Sequence, residues 1–373
     1  MDFGLVMMNY AGCWDDAAFA EEHGFATVGF TDSPLLCGDP LVSMALTAER
    51  TSKLRIGTLL NVPGMRTPQV TASAVSAVNQ LAPGRVFFGT GTGYTGRLTY
   101  GLPPVSLAKT RNNLRDVRDL LAGRDVTYQD MGCEVVVRAV NSQFVENNAK
   151  HPVPFYMAAD GPRALDTVGQ VADGWVATLA LAGATAMGDA PEVFARSFAA
   201  VKGSAVGAQR NLDGAYTFWA TALCILEPGE PANSPRALAQ VGPYSIFNFH
   251  SYACNPAMAA YLPPEVQERI DIYERSVLSR FDVPRERLYQ EVHAGHLMHL
   301  LAGEEEVLTE EIIRNTALIG TAEEIAAQLH RMRDAGLRNV SLSIPPAHTR
   351  EVIVDIETKL MPLLDRAPAP APL

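Results

Sequence analysis

RVFFGTGTGYTGRLTYGLPP, residues 85–104, contains a literal G-x-G-x-x-G in Gly91, Gly93 and Gly96. As a dinucleotide-binding fingerprint it needs three things: a strand before it, a helix opening directly after it, and an acid about 20 residues on, at the end of the next strand. The strand is present. Residues 97–104, closing in Pro103-Pro104, stand against immediate helix entry, and the acids at the right distance, Asp116 and Asp119, fall inside a helical pattern. The fingerprint therefore fails in its context. The same glycines fit the C-terminal end of a barrel strand, where glycine lets a ligand approach the backbone closely. Gly96 is read as part of the following loop only, and a flexible strand-to-helix turn is the plain alternative.

Outward from this stretch, short β-type runs alternate with helical ones. Strands are expected at 3–7, 26–30, 54–60, 85–91, 154–159, 174–179, 216–226 and 339–344. Asp39-Pro40 and Thr67-Pro68 pair an N-cap residue with proline at the first helical position. Thr321 and Glu324 spell a capping box, and Gly336 closes that helix. A hairpin is expected at 126–140, and the last strand is followed by a helix over 351–364. Eight strands, each followed by helix, predict a (β/α)8 TIM barrel rather than a doubly wound sheet. Residues 1–366 are read as one barrel domain with insertions at about 123–150 and 230–318, the larger carrying its own helices or a lid, and 367–373 as a disordered tail.

Composition narrows the class. Apolar residues make up 47% and charged residues 19%, enough for a sizeable core. A net charge of −11 speaks against nucleic-acid and anionic-membrane partners. MDFGLVMMNY carries no basic leader, and no 18-residue apolar run is present, so a cytoplasmic protein without membrane association is expected. Five scattered cysteines without CxxC spacing fit reduced thiols.

Three stretches carry a resemblance. They are FTDSPLLCGDPLVSMALTAERTSKLRIGTLLNVPGMRTPQVTASAVSAVNQLAPGRVFFGTGTG, PVPFYMAADGPRALDTVGQVADGW and ALIGTAEEIAAQLHRMRDAGLRNV. Their specificity lies in the order of pieces: Asp32 and Asp39-Pro40, Arg66-x-Pro68, Leu81-x-x-Gly84-Arg85, then Ala159-x-Gly161-Pro162-Arg163. The chain resembles the bacterial luciferase-like superfamily of flavin-dependent oxidoreductases, in its methylenetetrahydromethanopterin reductase-like branch. The resemblance implies a TIM barrel holding FMN or the deazaflavin F420 at its C-terminal mouth. It places the cofactor on Asp32, Asn61, Val62, Gly91, Thr92, Gly93, Ala159, Gly161, Pro162 and Arg163. It also implies a non-proline cis peptide near Asn61-Val62, and family members commonly form homodimers. The residues themselves agree in one place: GPRAL joins a helix N-terminus to Arg163, which suits a cofactor phosphate. Sugar-phosphate dehydrogenases of the family keep a histidine after the strand-two aspartate and an acid after the strand-four glycines. Ser33 and Tyr94 stand there, which argues against glucose-6-phosphate-type chemistry.

The large insertion holds His250, His293, His296 and His299. The i, i+3, i+6 spacing of the last three fans around a helix and makes a poor metal set, so no metal ligands are assigned; Glu304, Glu305 and Glu306 read as a solvated helix start. His23 and His330 are expected exposed on helices. His250, His296 and Tyr94 are the candidate catalytic proton carriers. The leading expectation is an FMNH2/O2-dependent monooxygenase of a hydrophobic or ring-bearing small molecule, with reduced FMN supplied by a separate flavin reductase. The alternative is F420-dependent hydride transfer on the same barrel, with Arg66, Arg97 and Arg163 as cations for the acidic F420 tail. A metal-dependent barrel hydrolase and an inert flavin-binding barrel stand further off.

Overall fold

The computed structural model describes residues 1–178, 189–254 and 264–364. Eight parallel strands close into a barrel: Asp2–Met7, Thr27–Phe30, Arg55–Asn61, Val86–Thr90, Phe155–Ala158, Gly174–Ala177, Tyr216–Thr221 and Asn339–Ser343, with the first paired to both the second and the eighth. Each is buried on both faces, which is why they read as continuous apolar runs rather than alternations. The expected caps are present. Asp39 accepts from the amides of Leu41 and Val42, Thr67 from that of Val70, and Thr321 and Glu324 form the reciprocal box.

The barrel interior is filled by size complementarity. Leu59, Phe87, Tyr156, Val176 and Phe218 point inward, with Phe87–Phe218 and Tyr156–Phe218 ring centroids 5.5 and 4.9 Å apart. Glycines stand opposite the bulky groups. A Cβ at Gly57 would lie 2.3 Å from the Phe87 ring, and one at Gly174 would lie 2.8 Å from the Tyr156 ring and 2.1 Å from the Tyr216 carbonyl. The aromatic floor thus closes the centre of the barrel, with Val6, Leu60 and Ala158 partly open on one side and Tyr216, bonded to Asp2, on the other.

Several expectations need correction. The seventh strand ends at Thr221, and Leu223–Ile225 is a separate short strand pairing in parallel with Leu318–Gly320, so the two ends of the large insertion are stitched together. The insertion carries the helices Pro235–Ser245, Phe247–Cys254, Pro264–Ser276, Leu288–Val292 and Glu310–Thr316 around an apolar cluster of its own that includes Val241, Phe249, Tyr273 and Val292. The small insertion holds the expected hairpin, Val126–Asp130 with Cys133–Val137. The helix expected over 351–364 passes from α-helix into a π-turn at Ile356–Leu360 and then a 3-10 turn at Met361–Leu363, where Pro362 cannot continue an α-helical ladder. His23 and His330 are half-buried rather than exposed; His23 stacks on Phe19 and its Nδ1 lies 2.8 Å from the Phe19 carbonyl. Residue 179 of the expected sixth strand and the expected tail lie outside the described residues.

The packing makes a direct prediction. Gly57→Ala should lower the urea midpoint by the equivalent of about 1–3 kcal/mol or more, because its methyl meets both the Phe87 ring and backbone. Gly203→Ala, in a helix with open space beyond it, should be neutral or stabilise by about 0.5–1 kcal/mol. Equal midpoints for the two variants would refute the interlocked interior.

Candidate cofactor mouth and its histidine-lined flank

One side chain, from just past strand two, holds the C-terminal end of strand three, which in turn ties to strand four. The carboxylate of Asp32, just past strand two, is buried and accepts from Asn61 Nδ2 at 3.0 Å, the Val62 amide at 3.1 Å and Arg66 Nη1 at 2.8 Å. Arg66 passes the tie on to Asp39, the cap of the next helix, at 2.5 Å. The Asn61 carbonyl in turn accepts from Thr90 Oγ1 and from the Gly91 amide, at 3.1 and 3.2 Å. Asp32 is thus engaged with protein on several sides, and Arg66 is a clamp rather than a free cation.

The non-proline cis peptide lies at Leu59–Leu60, two residues before the expected Asn61-Val62, within the register shift between Thr58 and Asn61. Leu60 meets strand four at Gly91, where a Cβ would sit 2.8 Å from Leu60 Cδ1 and 3.6 Å from the Ala158 Cβ. Gly91, Leu60 and Ala158 therefore share one apolar corner of the mouth. Helix entry is not blocked after Gly93. That residue, at φ 73°, caps a five-residue helix, Tyr94–Leu98, which the following turn ends. Gly96 is more than loop: a Cβ there would lie 2.6 Å from the Asp32 carbonyl oxygen. The one-turn helix can lie against strand two only because no side chain intervenes. The dinucleotide reading still fails, since strand four stands in a closed barrel between strands three and five. The half-buried Thr92 fixes the outgoing loop by accepting from the Val105 amide at 2.9 Å.

On the strand-five side, Ala159 is buried and its carbonyl accepts from Trp175 Nε1 at 2.7 Å. Gly161, Pro162 and Arg163 are exposed and open the helix Pro162–Val171, whose first turn has no side-chain cap. Pro162 has no N–H, and the Ala164 amide already donates to the Gly161 carbonyl at 3.0 Å. The amides of Gly161 and Arg163, the positive end of the helix dipole and the exposed Arg163 side chain are what this end offers an anion. An apolar corner with an anion-favouring helix end fits a flat ring system bearing a phosphate.

The insertion contributes a buried polar cluster. His250 Nδ1 lies 3.2 Å from His296 Nδ1, and His250 Nε2 lies 2.8 Å from Glu304 Oε1. Glu304 also accepts from the Tyr273 hydroxyl at 3.3 Å and the Leu301 amide at 2.8 Å. Glu304 is 0% exposed, which corrects its reading as a solvated helix start. The spacing of His293, His296 and His299 does not sit on one helix either. The helix ends at Val292, and the turn that follows brings His293 and His296 rings within 5.4 Å while His299 stays exposed. Among the described residues, no three His, Cys, Asp or Glu side chains are placed to share a metal ion. Tyr94 joins the two halves: its side chain lies beside Ser251, the neighbour of His250 on helix Phe247–Cys254, and burial raises its pKa so that it keeps its proton.

Burial, and then the neighbouring His250, lowers the His293 pKa from 6.5 to about 4 and pushes His296 well below its usual value. Both are neutral in the folded protein near pH 7, while the unfolded chain binds protons from about pH 6.5. Stability from these two is full above that pH and is lost as pH falls through the window down to about 4 for His293. Urea midpoints should drop between about pH 7 and pH 5, and His293→Gln should flatten that slope by up to about 1 kcal/mol per pH unit. An unchanged slope would show that His293 titrates as in a free chain.

Over 162 residues the chain is 30% identical to the 5,10-methylenetetrahydromethanopterin reductase of Methanolobus tindarius, covering 42% of this chain and 47% of that one. Over 177 residues it is 30% identical to the F420-dependent glucose-6-phosphate dehydrogenase of Kineococcus radiotolerans, covering 44% and 51%. The matched stretch thus spans about half the length of these curated relatives. Among solved structures, the F420-dependent tetrahydromethanopterin reductase from Methanopyrus kandleri superposes with a TM-score of 0.70 at 18% identity, over 98% of this chain and 99% of that one. The monooxygenase RslO1 from Streptomyces bottropensis gives 0.59 at 17% identity, over 97% and 99%. Both share the barrel fold. Among the described residues no helix is long and apolar enough to cross a membrane. Residues 9–339 match the family model described as luciferase-like monooxygenase, and the chain belongs to that family of flavin- or F420-dependent oxidoreductases.

Proposed function

We propose that this chain is an F420-dependent oxidoreductase that transfers hydride to or from a hydrophobic or ring-bearing small molecule. The observation that carries the reading is the mouth itself, an apolar corner of Leu60, Gly91 and Ala158 in one barrel with the uncapped helix end at Gly161–Arg163. F420 is favoured here over the FMNH2 and O2 expected from the sequence. It is supported by the relatives matched at 30% identity, one named as F420-dependent and one as a reductase of the methanopterin type. A separate flavin reductase is then not required. A different cation set would meet an acidic tail: Arg66 is spent on Asp32 and Asp39, whereas Lys109 and Arg97 lie close to Gly64 beside the mouth.

When bound, the deazaflavin supplies hydride exchange at its central ring. The chain's own residues do the rest. Leu60 and Ala158 offer an apolar surface for a ring, and the amides of Gly161 and Arg163 with the Arg163 side chain hold an anion at the start of helix Pro162–Val171. Tyr94 holds a proton at Oη, its hydroxyl kept neutral by burial. His296 and His293 are neutral near pH 7 and are poor proton donors there. They shape and dry the flank instead. Ser33 and Tyr94, where sugar-phosphate enzymes of the family carry a histidine and an acid, point the substrate away from sugar phosphates.

Equilibrium titration with F420, FMN and FMNH2 tests the reading. F420 should bind in the low micromolar range, and FMN weaker than about 100 µM, roughly −5.5 kcal/mol. Tight FMNH2 binding without F420 binding would return the chain to the monooxygenase reading, and no binding by any would reject a cofactor at this mouth. Arg163→Glu should weaken F420 about 10- to 100-fold, the worth of a charge-assisted contact, without moving the urea midpoint. With a panel of ring-bearing carbonyl compounds and reduced F420, Tyr94→Phe should lower kcat about 100-fold while leaving F420 affinity unchanged.

A further inference from the structure

Outside the mouth, a cavity of about 650 Å³ opens between two helices and the hairpin of the small insertion. One wall is Gly64 to Pro68, the turn that leads into helix Pro68–Leu81. The second is one face of helix Leu107–Leu121, where Lys109, Asn112, Asn113 and Asp116 follow at helical spacing. Tyr128 and Gln129, from the hairpin strand Val126–Asp130, close the third. The volume falls within the roughly 300–1,000 Å³ of small-molecule sites.

The polar groups of this cavity divide into two ends. Lys109 and Asp116 stand seven residues apart, about 10.5 Å along the helix axis. Lys109 reaches toward Gly64, its Nζ 3.3 Å from where a Cβ at that glycine would lie. Arg66 also lines the cavity, but its charge is already met by Asp32 and Asp39. The other end is built of acceptors. Among the described residues the half-buried Asp116 has no hydrogen-bond or ion-pair partner. Asn113 is 7% exposed, and its Oδ1 is buried without a donor. Gln129 spends its Nε2 on Glu134, which leaves Oε1 to offer. Tyr128, half-buried, is the aromatic member of the lining. Burial, and then the like charge of Asp119, raise the Asp116 pKa, a cost that a cation beside it would relieve.

We propose that this acceptor end binds a small organic cation with N–H donors, a primary ammonium or guanidinium compound. Asp116 supplies the counter-charge, Asn113 and Gln129 accept from the remaining N–H groups, and Tyr128 adds an aromatic neighbour for the cation. An anionic ligand would set its charge against Asp116 and leave Asn113 Oδ1 without a donor. A quaternary ammonium would answer the charge but not the acceptors. Lys109, at the far end of the cavity, stays with Arg97 for the cofactor's acidic tail, so the two sites call on different residues.

Calorimetric titration of the full chain with butylammonium, butylguanidinium, butyltrimethylammonium and butyrate tests this. One or both of the first two should bind, the trimethylated cation at least about tenfold more weakly, and butyrate not at all. Asp116→Asn should weaken the N–H cation at least about tenfold. The substitution keeps the side chain's shape and removes an unpaired charge, so the urea midpoint should hold or rise. F420 affinity should match the wild type in the same variant, so that amine binding and cofactor binding stand or fall separately. The proposal is overturned if neither N–H cation binds, if the trimethylated cation binds as well as butylammonium, or if Asp116→Asn leaves the affinity unchanged.

Discussion

The mouth of this barrel depends on one buried carboxylate. Asp32 takes hydrogen bonds from Asn61, the Val62 amide and Arg66, and Arg66 reaches on to the helix cap Asp39. A buried ion pair of this kind adds little net stability when intact, because desolvation offsets most of the attraction. Its value is geometric. It specifies where the irregular end of strand three lies, and the neighbouring features are built against that position. Gly93 fits around Val62, Gly96 against the Asp32 carbonyl, and Gly91 beside Leu60. The glycines first noticed as a fingerprint are therefore spaces left for this bulge, and the apolar corner they create is where a ring would rest.

The fold was legible because its signals are local. Strands buried on both faces stand out as apolar runs, and Asp39-Pro40, Thr67-Pro68 and Thr321 with Glu324 announce helix starts through chemistry within one turn. Eight such units leave few architectures open. The mouth was legible in part: Asp32, Asn61, Val62 and Gly91 do converge, though Asp32 proves to be an organiser of the others. What stayed hidden depends on partners distant in sequence. Glu304 heads a run of three glutamates that looks solvated, and only its contact with His250, 54 residues away, reveals its burial. Tyr273 gave no sign at all, and the pairing of Leu223–Ile225 with Leu318–Gly320 spans the whole insertion.

The two halves of the site divide the physical work. The barrel half is glycine-lined, and its central charges, Asp32, Arg66 and Asp39, are tied to one another. The insertion half buries histidines, a glutamate and a tyrosine in a network in which each polar group answers another. Burial holds His293 and His296 neutral, so the flank is polar yet poor in mobile protons near pH 7. Tyr94 lies where the halves touch and keeps its proton for the same reason, desolvation. Hydride chemistry suits such surroundings, since it needs a dry ring and one well-placed proton more than a strong acid or a metal.

The central claim is that a deazaflavin ring rests on the corner organised by Asp32. A crystal structure of the chain with oxidised F420 tests it most directly. The account predicts the ring against Leu60, Gly91 and Ala158, with the phosphate on the amides of Gly161 and Arg163. A ring seated away from Leu60, or a phosphate that leaves the helix end at Pro162 untouched, would contradict it.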